Sequence, residues 1–223
     1  MYVHITGNYS LMLGKLKIIF REFILPDPLF LLSKTQKEKV LYLTFDDGPV
    51  PGVIEPLLAL LDKYQVKATF FIIGSRAEKN PTCIVDIDSH HHTVANHSFS
   101  HPNFHKIPHA EKMVEIDKTN QLIQKITGKY CSLFRAPQGR WSMRLILAML
   151  YKRITCVHWS VDSKDFLKEP ANAIIERFQK HPVKSGDIIL FHDDNNLCVD
   201  ALDILIPQWL AQGYRFNSLE NKQ

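Results

Sequence analysis

From residue 39 onward the chain alternates short, wholly apolar runs with amphipathic ones, and this alternation restricts its folds more than any other feature. "VLYLTF" (40–45) predicts a buried strand, "VIEPLLALLDKYQ" (53–65) a helix, and "KATFFII" (67–73) a second strand that ends at Gly74. "HTVAN" (92–96) predicts a third, short strand, followed by a helix over about 108–127 that closes at Gly128. "CSLFR" (131–135), "ITCVHWSV" (154–161), "GDIILFH" (186–192) and "YRFNSL" (214–219) read as further strands, with helical patterns at about 142–152, 170–181 and 199–212. Strands that are apolar throughout are buried on both faces, and strand–helix repeats require parallel pairing. The expected fold is therefore α/β, with about seven parallel strands closed or nearly closed into a barrel. Active sites in such folds lie at the C-terminal ends of the strands.

Composition removes several function classes. The 223 residues are 45% hydrophobic and carry a formal charge of +4, enough for one sizeable core and too little clustered charge for a nucleic-acid surface. Cys83, Cys131, Cys156 and Cys198 form no Cys-x-x-Cys pair and read as free core thiols. In residues 1–38, "KLKIIFREFILPDPLFLL" (15–32) is interrupted by Arg21, Glu22, Pro26 and Pro28, too short and charged to span a bilayer. It reads as a helix docked on the main domain, with membrane contact the weaker alternative, and no cleavable export signal is evident in the sequence given. Sequence alone points to the cytoplasm, and no obligate protein partner is evident.

The residues just after each predicted strand are polar in a way that turns alone do not explain. Asp46 and Asp47 follow the first strand, and two adjacent carboxylates ionise together at low cost only beside a cation. After the third come His97 and His101, four apart, a spacing that brings two imidazoles to one ion from a single turn. Ser98, rather than Glu, follows His97, which disfavours a zinc-protease helix. With one Asp the pair makes a two-His, one-carboxylate set that suits a hydrolytic zinc site or an iron oxygenase alike. Arg135 ends the fourth strand, Asp162 and Asp165 follow the fifth, and His192 ends the sixth. His90, His91 and His92 draw the eye, but read as a solvated turn before the third strand.

"TFDDGP", "HSFSHP", "RAPQG", "DSKDF" and "LFH", in this order, together with "KATFF", resemble the motifs of the polysaccharide deacetylases, the NodB homology domain or carbohydrate esterase family 4. The resemblance covers about residues 39–220. It implies a distorted (β/α) barrel with fewer than eight repeats and metal-dependent hydrolysis of N-acetyl groups on N-acetylglucosamine-containing glycans, of the peptidoglycan or chitin type. Carried over by position, Asp47, His97 and His101 hold one divalent metal, zinc first, with Co, Ni or Fe accepted by the same ligands. Asp46 becomes the general base, Arg135 its electrostatic partner, His192 the general acid and Asp165 the group that orients His192. Pro137, Gln138, Gly139, Trp141, Phe166 and Leu190 line the sugar cleft, with a backbone N–H of the 137–139 loop serving the oxyanion. The family is often extracytoplasmic.

Three positions depart from the pattern: Gln138 where an aromatic is usual, Phe166 where Trp is usual, and His91 where a Gly is common. The first two bear on substrate preference, and leave open an O-deacetylase, a deformylase of another sugar, or a metal-retaining sugar-binding domain with little turnover. The third implies a turn at residue 91 that needs no positive φ.

Overall fold

In a computed structural model describing residues 30–31 and 38–220, the first long strand shows how the sheet divides its two faces. Strand β2 (Val40–Asp46) is buried along its whole length. Leu41, Leu43 and Phe45 point outward into the main core against the helices, while Val40 and Tyr42 point inward to a second cluster with Phe71, Ala95 and Val157. The inward column continues as Thr44 and then Asp46, so the two-residue period of the strand carries an apolar column into a carboxylate at its C-terminal end.

The other elements repeat the unit. After β2 come α1 (Ile54–Lys63), β3 (Ala68–Ile72), α2 (Gly74–Lys79), α3 (Pro81–Ser89) and β4 (Thr93–Asn96). Then follow α4 (His109–Thr127), β5 (Leu133–Phe134), α5 (Met143–Tyr151), β6 (Thr155–Val157) and β7 (Val161–Asp162). The chain ends with α6 (Ala171–Lys180), β8 (Ile188–His192), α7 (Leu197–Ala211) and β9 (Arg215–Phe216). With β1 (Phe30–Leu31) the sheet runs β1-β6-β5-β4-β3-β2-β8-β7, β9 joining β2, and every pairing is parallel. Its path ends at β1 on one side and β7 on the other, an incomplete barrel of the expected class.

Most predicted elements stand within two or three residues of their expected ends. The run 154–161 is instead two strands, broken at His158–Ser160, which turns Trp159 toward the mouth. Helices α2 and α3 fill the stretch between the second and third expected strands, to which the sequence pattern assigned no element; both are short, and α3 begins with Pro81, whose missing N–H costs nothing at a first helical position. Of the expected docking helix 15–32, only Phe30–Leu31 lie within the described residues, and these form a strand paired with Cys156–Val157. Among the described residues no helix is long and apolar enough to cross a membrane. All four cysteines are buried free thiols.

Two expectations about the histidine triplet fail. His92 is 4% exposed, not solvated: its Nδ1 accepts the Ala68 N–H at 3.2 Å and its ring packs edge-on against Phe70. Burial, with help from Lys67, pushes its pKa down to about 4. His91 has φ of 59°, so the turn after α3 does need the left-handed region, and a residue with a Cβ accepts the strain.

Candidate active site

Register brings the strand ends together before any side chain is considered. Asp46 is opposite Phe71 on β3 and His192 on β8, Ile72 is opposite Asn96, and Asn96 is opposite Phe134. The residues that follow these pairs, Asp47, His97 and Arg135, therefore emerge on one rim, within a cleft of about 300 Å³ that includes Asp46, Asp47, His97, His101 and His192.

Arg135 is fully buried, an expensive place for a guanidinium unless its charge is answered. Its Nη1 donates to Asp46 Oδ1 at 2.6 Å and to Thr44 Oγ1 at 2.8 Å, and its plane lies 4.0 Å from the centre of the Phe71 ring. Burial pulls its pKa down and Asp46 pulls it back up. Removing one member of such a pair typically costs about 3–5 kcal/mol, because the other charge is left buried and alone. Asp46 is thus held by one oxygen, while Oδ2 faces His97 Nε2 at 3.6 Å.

Asp47, His97 and His101 converge on one point, with one ligand atom from each lying within 4.8 Å of the others. His97 Nδ1 lies 2.8 Å from the Arg135 carbonyl, which only accepts; Nδ1 therefore donates there, which leaves Nε2, 3.5 Å from Asp47 Oδ1, as the nitrogen that can offer a lone pair to a cation. His101 Nε2 lies 3.3 Å from the same oxygen. Burial and the neighbouring His97 push His101 down, which favours the neutral imidazole a metal needs. Asp47 Oδ1 is buried without a hydrogen-bond partner. An orphaned carboxylate oxygen facing two imidazole nitrogens fits a divalent cation, and the mixed oxygen–nitrogen set suits zinc or another first-row metal.

The loop carrying the two histidines has its own support. Glu115 on α4 accepts the N–H groups of Phe99 and Ser100 and the Ser100 hydroxyl, at 2.6–2.9 Å. Asn96 Oδ1 accepts the Ser98 N–H at 2.7 Å.

His192 stands on the opposite side. Asp165 is 1% exposed and grips it twice, Oδ1 taking the Nδ1 proton and Oδ2 the backbone N–H, both at 2.7 Å. Burial opposes a charge on His192, but bonded Asp165 and the nearby charges of Asp46 and Asp47 outweigh it, and the pKa is pushed up to about 9. Phe166 packs edge-on against the ring at 5.9 Å.

Of the expected cleft residues, Gln138, Phe166 and Leu190 line the cavity. Pro137 is buried, Trp141 packs edge-on against Phe134, and Gly139 lies so close to His158 and Trp159 that a Cβ there would come within 2.9 Å of both. These three form the layer behind the wall. Trp159 and Asp162 also line the cleft. Asp162 was visible as a strand-end carboxylate; Trp159 was hidden in an apparently continuous strand. Arg76 and Asp193, which touch the Asp47 loop, carried no sequence signal beyond the place of Asp193 directly after His192.

Known proteins share this arrangement of elements. A sequence model of the polysaccharide deacetylase family matches residues 33–157. The chain is 34% identical over 178 residues to the peptidoglycan-N-acetylmuramic acid deacetylase PdaC of Bacillus subtilis, covering 80% of this chain and 37% of that protein. It is 34% identical over 181 residues to a peptidoglycan-N-acetylglucosamine deacetylase of Bacillus cereus, covering 79% and 66%. It thus spans under two thirds of both Bacillus proteins. With a chitooligosaccharide deacetylase of Bradyrhizobium it shares 30% identity over 217 residues, covering 89% and 97%. A solved peptidoglycan N-acetylglucosamine deacetylase bound to 4-naphthalen-1-yl-N-oxidanyl-benzamide superimposes with a TM-score of 0.82 at 32% identity, covering 86% of this chain and 91% of that one. A pseudoenzyme of carbohydrate esterase family 4 from Bacillus anthracis superimposes with a TM-score of 0.81 at 25% identity, covering 87% and 68%.

Proposed function

The chain belongs to the polysaccharide deacetylase family, and from that premise we propose that it is a metal-dependent hydrolase that removes N-acetyl groups from N-acetylglucosamine-containing oligosaccharides, of the chitin or peptidoglycan type. One observation carries the reading: a buried Asp46–Arg135 pair stands beside the Asp47, His97 and His101 cluster, with the Asp165-held His192 facing it. Names of the relatives support the substrate class.

Asp47, His97 and His101 would hold the ion. A divalent metal there supplies Lewis acidity toward a carbonyl oxygen and lowers the pKa of a coordinated water from about 15.7 toward about 7. The chain's own groups do the rest. Arg135 occupies Asp46 Oδ1, so Oδ2 is the oxygen free to accept a water proton. The developing oxyanion needs a donor from the 137–139 turn. Pro137 has no N–H and the Gly139 N–H is already given to Ala136 O at 2.9 Å, leaving that of Gln138, a residue that lines the cleft. Gln138 thus keeps the backbone role while replacing an aromatic wall. His192, protonated at neutral pH and oriented by Asp165, donates to the leaving amine nitrogen, a step typically worth about 10²–10⁴-fold. Trp159, Phe166 and Leu190 give the sugar an apolar wall.

Acetate release from N-acetylglucosamine oligomers with added Zn, added Co, or chelator tests the reading. Release is expected with metal, and its loss with chelator, with Asp46→Asn, and with the His97→Ala plus His101→Ala double variant. Release that persists in Asp46→Asn removes the general-base assignment, and unchanged metal content in the double variant sinks the ligand assignment. A wild type that retains metal yet releases no acetate favours the binding-domain reading instead.

A further inference from the structure

Asp47 sits at φ of 77°, in a region disfavoured for any residue with a Cβ. Such a conformation persists only where the surroundings over-determine it. Three hydrogen bonds do so here. Arg76 Nη1 donates to the Asp47 carbonyl at 2.7 Å, the Gly48 N–H donates to Asp193 Oδ1 at 2.7 Å, and the Ile73 N–H donates to the Gly48 carbonyl at 2.8 Å. The residues after Ile73 hold the other ligand loop: Gly74 N–H reaches Ser98 O at 2.9 Å and Ser75 N–H reaches Phe99 O at 2.8 Å. N–H groups at the start of a helix have no acceptor within it. At the start of α2 they are spent on the two loops that carry Asp47, His97 and His101, and so set the spacing between them.

Neither Arg76 nor Asp193 lines the cleft. Asp193 is 1% exposed, its Oδ2 has no hydrogen-bond partner, and it packs so tightly on Gly48 that a Cβ there would lie 1.9 Å from that oxygen. We infer that Arg76 and Asp193 are positioning residues that, with the first turn of α2, lock Asp47 in a strained conformation and so preorganise it as a metal ligand. The inference rests on the metal reading proposed above.

Metal affinity separates this role from alternatives. Arg76 lies close enough to His101 for its charge to lower that imidazole's pKa. Were charge its whole contribution, Arg76→Ala would bind a cation more tightly, because a repelling charge is removed. Positioning predicts the opposite sign. Titration of Zn²⁺ and Co²⁺ against a chelating dye, with the Co²⁺ absorption spectrum as a geometric readout, is expected to show about 10–100-fold weaker binding in Arg76→Ala and in Asp193→Ala. Asp193→Asn keeps an acceptor oxygen of the same shape and is expected to bind within about threefold of wild type. Near-UV circular dichroism checks folding, and Arg76, which is only partly buried, gives a result even if Asp193→Ala does not fold. Wild-type affinity in folded Arg76→Ala and Asp193→Ala overturns the inference alone, as does tighter binding in Arg76→Ala. Equal losses in Asp193→Asn and Asp193→Ala remove Asp193 from it. A wild type that binds neither ion overturns the metal reading itself.

Discussion

Replacing Asp165 by Asn should uncouple the charge of His192 from its position. The His192 side chain is 15% exposed, and its pKa rises from 6.5 to about 9, against the pull of burial. At about 1.36 kcal/mol per unit, that rise is worth about 3 kcal/mol. One charge-assisted hydrogen bond contributes about 1.5–3 kcal/mol, so the Asp165 carboxylate accounts for most of it. Asn keeps an oxygen for the Nδ1 proton but removes the negative charge, and the pKa is expected to fall by about two units. The assay is kcat/KM for acetate release against pH with saturating metal. Its alkaline limb should move about two units toward acid in the variant, so that the loss in rate grows with pH and is small at pH 6. The same substitution acts on stability. A raised folded pKa contributes fully below 6.5, and the contribution is lost as pH rises toward 9, so wild-type stability should fall across that window and the variant's should stay flatter. A uniform drop in rate with the limb unmoved would refute the argument, because Asp165 would then be shaping the loop without tuning the acid.

Three other substitutions test the remaining structural claims. His92 is buried neutral with its pKa near 4, so stability should be lost as pH falls from 6.5 toward 4, by about 3 kcal/mol in all, and His92→Asn, which keeps an acceptor for the Ala68 N–H, should flatten that acid limb in urea titrations. His91→Gly relieves a positive φ on an exposed turn and should stabilise the fold by about 0.5–1 kcal/mol, read as a higher urea midpoint at constant slope; a lower midpoint would mean the side chain has a partner worth more than the strain. Gly74→Ala would bring a Cβ to 2.6 Å from Thr119 Oγ1 and 2.7 Å from Phe99 Cδ2, so a loss of about 1–3 kcal/mol is expected from chemical denaturation, and a neutral result would show that the loop carrying His97 and His101 can move aside.

The strand ends were legible because a β-strand is a local object. Its two-residue period and its apolar face are written in consecutive residues, so Asp46, Arg135 and His192 could be placed at a rim from position alone. The four-residue spacing of His97 and His101 is equally local. Helices α2 and α3 were not legible: α2 is six residues long and opens on Gly74, which reads as a strand terminator, and α3 buries only Cys83, Ile84 and Ile87, too sparse an apolar face to stand out as a period. The 154–161 run failed for the opposite reason: it is apolar enough to look continuous, and only the pairing of its first part, β6, between β1 and β5, and of its last part, β7, with β8 divides it.

What the sequence determined by itself, then, was the parallel α/β class, the rim on which polar chemistry gathers, and the identity of the groups that resemble a deacetylase site. Tertiary structure decided the environment of each group, which depends on residues far away in the chain. His92 is a core acceptor because β3 passes beside it, while its neighbour His91 is exposed. Asp165 outranks Asp162 as the partner of His192 because the turn between them buries one carboxylate against β8 and leaves the other at the cleft. Arg76 and Asp193 reach the Asp47 loop from 29 and 145 residues away, through bonds that no local pattern encodes. Burial and partner geometry set charge, tautomer and strain, and these are properties of the assembled barrel.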